Sequence, residues 1–174
     1  QGVAPQTKIL PMNNFIAGGS SWVESLRFIS EKKGIKIGSI SLEEISFEGG
    51  LSPLFSNATN AGQLLDALVV VIAGNDDNFR HPVTELTNGL PEERNETIFK
   101  RMIVTVAVGS DNKLSQFSRS CGNIGAYCVA VPSGGTTSPT APTVSGVIAL
   151  LMEAFPGLDL EMYQRAILET ATPL

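Results

Sequence analysis

The chain has 174 residues, of which 43% are hydrophobic and 17% charged, with a net charge of −5. That length and balance fit one globular domain with its own core and exclude a disordered chain. No basic cluster is present to hold a phosphate backbone, so nucleic acid is not an expected partner, and no apolar run reaches the roughly 20 residues that span a bilayer.

In chain order, candidate strands and helices alternate. Lys8–Met12, a short apolar run after Pro5, is expected as a strand. Ser20–Lys33 sets Trp22, Val23, Leu26, Phe28 and Ile29 at helical spacing, with Ser20 or Ser21 as the cap and Gly34 as the stop. Ile35–Leu42 is rich in β formers. Asn60–Ala67 reads as a short helix, and Leu68–Ala73 as a continuous apolar strand of the kind buried on both faces of a parallel sheet. Asp76–Glu96 is polar and rich in turn residues, a long surface excursion. Met102–Val108 and Tyr127–Val131 are two further strands. Ser138–Phe155 is a helix with apolar residues on nearly every face, expected to be central and buried. Pro139 fits its first helical position, where a missing N–H costs nothing. Leu158–Thr170 is a last amphipathic helix after Pro156-Gly157. The alternation predicts an α/β fold: a doubly wound parallel sheet in three layers, α/β/α, forming one domain over residues 1–174.

The segment Thr136–Gly146 sets Ser138 at the start of the central helix. There the unpaired N–H groups and positive dipole end of the helix face any oxyanion formed beside it. Asn75 follows a strand in Ala73-Gly74-Asn75-Asp76, and ligands collect at the carboxyl ends of strands in parallel sheets. Alone, Asn75 reads as an ordinary turn residue. Paired with Ser138, its amide and the serine's own N–H make a two-donor oxyanion hole. Cys121 and Cys128 flank the turn-rich Ser120–Gly125 and are either two buried thiols or, as preferred here, a local disulfide. Closing so short a loop contributes roughly 2–3 kcal/mol and implies an oxidising compartment. One histidine and two cysteines are too few for zinc, so no metal site is expected. No G-x-S-x-G elbow, P-loop, G-x-G-x-x-G turn or H-E-x-x-H helix is present, which argues against esterase, NTPase, dehydrogenase and zinc-protease chemistry. Asn57-Ala58-Thr59 and Asn95-Glu96-Thr97 fit the glycosylation sequon, at a frequency that chance explains.

Across essentially its whole length, and in the same order, the chain resembles the later part of a subtilisin-like serine protease (subtilase) domain. Gln1–Ile9 resembles the segment that follows the family's catalytic histidine. Gly34–Leu42 resembles the edge strand that pairs with substrate. Ala73–Asp76 matches the oxyanion asparagine motif, and Val104–Ser110 with Gln116-Phe117-Ser118 matches another family signature. The Ser138 segment matches the nucleophile motif. The Cys121–Cys128 pair and the tail Pro156–Leu174 further resemble the exported, autotransporter-type subtilases of Gram-negative bacteria.

The resemblance implies a serine endopeptidase acting on polypeptides, secreted or at the cell surface, and needing no cofactor. Ser138 would be its nucleophile and Asn75 its oxyanion donor. Ser41, Leu42 and Glu43 would line the substrate-binding edge, and Gly74 would give the substrate backbone close access. The family's aspartate and histidine motifs fall before the point matched by Gln1. The chain begins without Met and ends abruptly at Leu174, so it is expected to be the C-terminal portion of an incomplete domain, inactive by itself. Its partner would be the missing N-terminal part, without which Ile35–Ile40 or Leu68–Val71 would be exposed. His81, the single histidine, sits in a surface-loop sequence without the family's histidine context. Thr136 stands where glycine is usual, the interval from Cys128 to Ser138 is short, and Glu43 replaces a small residue at the wall of the specificity pocket. The departures at Thr136 and Glu43 motivate an alternative: a non-catalytic protein-binding domain on a protease scaffold.

Overall fold

The computed structural model describes residues 2–11, 28–29, 31, 34–41, 66–75 and 99–173. Four parallel strands lie side by side in chain order: β1 (Ile37–Ile40), β2 (Leu68–Ile72), β3 (Met102–Val108) and β4 (Cys128–Pro132). Their registers pair Ile37 with Leu68, Val69 with Met102, and Val104 with Cys128. Side chains alternate along a strand, so each run splits between two faces. Leu68, Val70 and Ile72 join Ile103, Val129 and Val131 on one face; Val69, Val71 and Ala73 join Met102, Val104 and Val106 on the other. Both faces are covered, so every residue of β2 and β3 is buried, which accounts for their unbroken apolar sequence.

Helix α1 (Thr140–Ala154) lies across the first face through Ala141, Val144 and Ile148, and helix α2 (Leu160–Thr170) adds Tyr163 beside it. The second face meets Phe99 and Ile124 of the 3-10 turn Gly122–Tyr127. On that same face the helical residue Ile29 packs so closely that a Cβ on Gly38 would lie 3.0 Å from its Cδ1. Helical residues on both sides of a parallel sheet give the expected three layers. The disulfide Cys121–Cys128 ties the 3-10 turn to the start of β4. Gln164 on α2 is buried and donates from its amide to the carbonyls of Phe99 and Met102, fastening the helix to the entry of β3.

Several expectations are corrected. Residues 8–11 form no strand, and Ile9 and Leu10 are 85% and 59% exposed. A short apolar run becomes a strand only where a ladder partner accepts it, and none does among the described residues. Pro139 is the cap of α1 rather than its first residue, so Ser138 stands just outside the helix. Nor is α1 buried all round: Val147 and Leu150 are exposed, because a helix lying on a sheet buries one stripe. Helix α2 begins at Leu160, two residues later than expected, since Asp159 caps it by accepting from the Met162 N–H at 2.9 Å. Asp66 and Ala67 form a bend, not the end of a helix. β2 is paired on both sides, so Leu68–Val71 is not an open edge, whereas β1 is an edge among the described residues. Phe28, Ile29 and Glu31 are helical and Gly34 follows with φ +99°, as a stop requires. The rest of Ser20–Lys33, Asn60–Leu65 and Asp76–Glu96 lie outside the described residues.

Candidate active site

The carboxyl ends of β1 and β2 converge on the segment that enters α1. After β2, Gly74 turns the chain with φ +103°, a left-handed value that costs glycine little, and delivers Asn75. This corner is held from the β3 side. Gly74 O accepts from the Arg119 N–H at 3.1 Å, and the backbone of Asn75 bridges to that of Ser118. Ser118 is itself fully buried; its hydroxyl accepts from the Ala107 N–H and donates to Arg119 O, each at 3.0 Å.

The side chain of Asn75 is clamped by Thr137. Its Oδ1 accepts from the Thr137 N–H at 2.6 Å and from the Thr137 hydroxyl at 3.0 Å. A backbone N–H can only donate, so the carbonyl end of the amide must face Thr137, and Nδ2 is the end that donates elsewhere. Thr137 has no solvent exposure and is the residue immediately before Ser138. From the other side, Ser41, just past β1, donates its hydroxyl to Ser138 O at 2.7 Å. The approach from β4 is a short turn: the Ser133 hydroxyl donates to Thr136 O at 2.7 Å, and Gly135 takes φ +119°.

Ser41, Gly74, Asn75 and Ser138 are thus brought together although they come from three separate stretches of chain. Leu42, Glu43 and His81 lie outside the described residues. Among the described residues no group of three or more His, Cys, Asp or Glu is placed to hold a metal ion. Three residues at the site carry no sequence-based assignment: Thr137, Thr140 and Thr105. The Thr140 hydroxyl donates to Thr137 O at 2.6 Å and lies 2.7 Å from the Thr105 hydroxyl on β3. The signal in the sequence was a hydroxyl in the otherwise apolar run Met102–Val108.

Comparison with known proteins matches residues 1–174 to the Subtilase family. An extracellular serine protease of Serratia marcescens is 30% identical over an alignment of 143 positions, covering 62% of this chain and 13% of that protein. Among solved structures, the prenylagaramide maturation protease PagA superposes with a TM-score of 0.70 at 20% identity, covering all of this chain and 67% of its own. Sphericase superposes at 0.60 with 17% identity, over 86% of this chain and 54% of that one. The patellamide maturation protease PatA gives 0.61 at 23% identity, over 88% and 59%. At these identities the structural likenesses establish the fold.

Proposed function

We propose, from the premise that the chain belongs to the subtilase family, that it is the nucleophile-bearing portion of a serine endopeptidase domain. Ser138 Oγ attacks the scissile carbonyl carbon. The hydroxyl proton passes to a histidine, which returns it to the leaving amine as the C–N bond breaks; water then releases the acyl group by the same route. Asn75 Nδ2 and the Ser138 N–H hold the oxyanion. The observation that carries this reading is the 2.6 Å bond from the Thr137 N–H to Asn75 Oδ1, which sets the asparagine amide next to Ser138 with its carbonyl end already engaged.

The histidine and its orienting aspartate belong, by the family's order, to a segment preceding Gln1. A serine hydroxyl without its base is almost wholly protonated, and in subtilisin losing the base costs about 10⁶ in kcat. Residues 1–174 alone are therefore inactive in this reading. The substrate is a polypeptide whose backbone adds as a strand along the edge lined by Ser41, Leu42 and Glu43. Gly74, lacking a side chain, admits its close approach. The disulfide and the similarity to an extracellular protease support export, here of the Gram-negative autotransporter type.

A fluorophosphonate probe applied to the full-length protein tests the proposal. Stoichiometric labelling at Ser138, abolished by Ser138→Ala, is the expected result. No labelling of a folded protein that carries the upstream histidine overturns it and leaves the protein-binding domain as the better reading. Brisk peptide hydrolysis by residues 1–174 alone would overturn the assignment of the base.

A further inference from the structure

We infer that Thr140 is a positioning residue for both oxyanion donors, held in place by Thr105 across the buried face of the sheet. The inference rests on reading Ser138 as the nucleophile. Thr105 is the one hydroxyl-bearing residue of β3, and both it and Thr140 have no solvent exposure. Burying a hydroxyl is unfavourable unless it is hydrogen-bonded, so packing alone would favour an apolar residue at each position. Here the two hydroxyl oxygens lie 2.7 Å apart.

Each hydroxyl has one proton to give. Thr140 donates to Thr137 O at 2.6 Å, which leaves its oxygen to accept from Thr105. The other acceptor near Thr105, Val71 O, is more distant at 3.3 Å. The chain of donors therefore runs from Thr105 on β3, through Thr140 at the start of α1, to Thr137 O. Thr137 O also accepts from the Thr140 N–H at 2.9 Å.

Thr137 O and the Ser138 N–H are the two ends of a single peptide group. The described peptide bonds are all trans, so these ends point in opposite directions from one rigid plane. Holding the carbonyl fixes where the Ser138 N–H points. This matters because Ser138 lies outside α1, beyond the regular helix, and follows a solvent-exposed turn over Gly134–Thr136. The same Thr137 uses its N–H and hydroxyl to hold Asn75 Oδ1. One residue thus orients both donors, and Thr140 orients that residue.

The test compares Thr140→Ser, Thr140→Val and the double variant Thr105→Val/Thr140→Val. The single valine leaves Thr105's hydroxyl only its longer bond to Val71 O and is expected to lower stability. The double variant removes both hydroxyls with matched shape, a change that is nearly neutral for stability, yet it still deprives Thr137 O of a donor. Three quantities are measured: melting temperature, hydrogen exchange of the Thr137 amide, and the rate of Ser138 phosphonylation in the full-length protein. We expect the double variant to melt near wild type while labelling slows about tenfold and Thr137 exchange quickens by a similar factor, a fraction of what deleting one donor costs. Thr140→Ser should restore all three. Wild-type labelling and wild-type exchange in the double variant overturn the inference, as does a serine variant that fails to rescue. If the wild-type protein is not labelled at all, the catalytic reading fails, and Thr137 exchange still decides whether Thr140 positions Thr137. Should the valine double variant not fold, Thr105→Ala/Thr140→Ala is read in the same way.

Discussion

Replacing Asn75 by alanine and by aspartate separates the work of the two ends of its side chain. Oδ1 accepts two hydrogen bonds from Thr137, at 2.6 and 3.0 Å, and Thr137 is fully buried. Alanine deletes the acceptor and strands both donors, which costs about 1–3 kcal/mol. In a chain of this size each kcal/mol lowers the melting temperature by roughly 2–4 °C, so Asn75→Ala should melt about 2–12 °C below wild type. Aspartate keeps the acceptor, and its charge strengthens bonds from N–H and O–H donors, so Asn75→Asp should melt near wild type. A carboxylate, however, has no N–H to offer an oxyanion and repels it. Losing one such donor in subtilisin costs about 10²–10³ in rate, and Asn75→Asp should slow Ser138 labelling at least that far. Thermal melts and timed fluorophosphonate labelling of the same full-length preparations measure both effects. An aspartate variant labelled at the wild-type rate would refute the role of the amide, and an alanine variant with an unchanged melt would refute the clamp.

Two further outcomes are expected. Replacing Cys121 and Cys128 by serine, or reducing their bond, should lower stability by roughly 2–3 kcal/mol through the freed unfolded chain; urea unfolding with and without reductant checks this, and superimposable curves would contradict it. Gln164→Leu keeps a similar bulk but removes the donors to the Phe99 and Met102 carbonyls. It should cost about 1–3 kcal/mol in the same assay, and an unchanged midpoint would show that those carbonyls are satisfied without it.

The central strands were legible because their environment is simple. Met102–Val108 is read with its bounds intact, since a strand covered on both faces needs an apolar side chain at almost every position. Residues 8–11 looked similar but form no strand, because strand identity also requires a partner, which local sequence does not encode and which they lack among the described residues. Ser138 and Asn75 were legible as candidates because each stands at the junction of an apolar element and a turn. Ser41 was assigned to the substrate edge, and its hydrogen bond to Ser138 O joins segments 97 positions apart in the chain, beyond the reach of any local pattern.

What the sequence by itself determined is the four strands and the two C-terminal helices, and the presence of a serine and an asparagine at their ends: periodicity and punctuation are properties of neighbours in the chain. It also held four threonines between Thr136 and Thr143 without ranking them. Tertiary structure did the ranking. Thr136 is exposed in the turn, and Thr143 is spent on the carbonyl of Pro139 at 2.8 Å. Thr137 meets Asn75, and Thr140 meets Thr105. A hydroxyl acquires a role only from the group that packing sets within hydrogen-bonding distance, and in this protein those groups are supplied by the parallel sheet on which α1 rests.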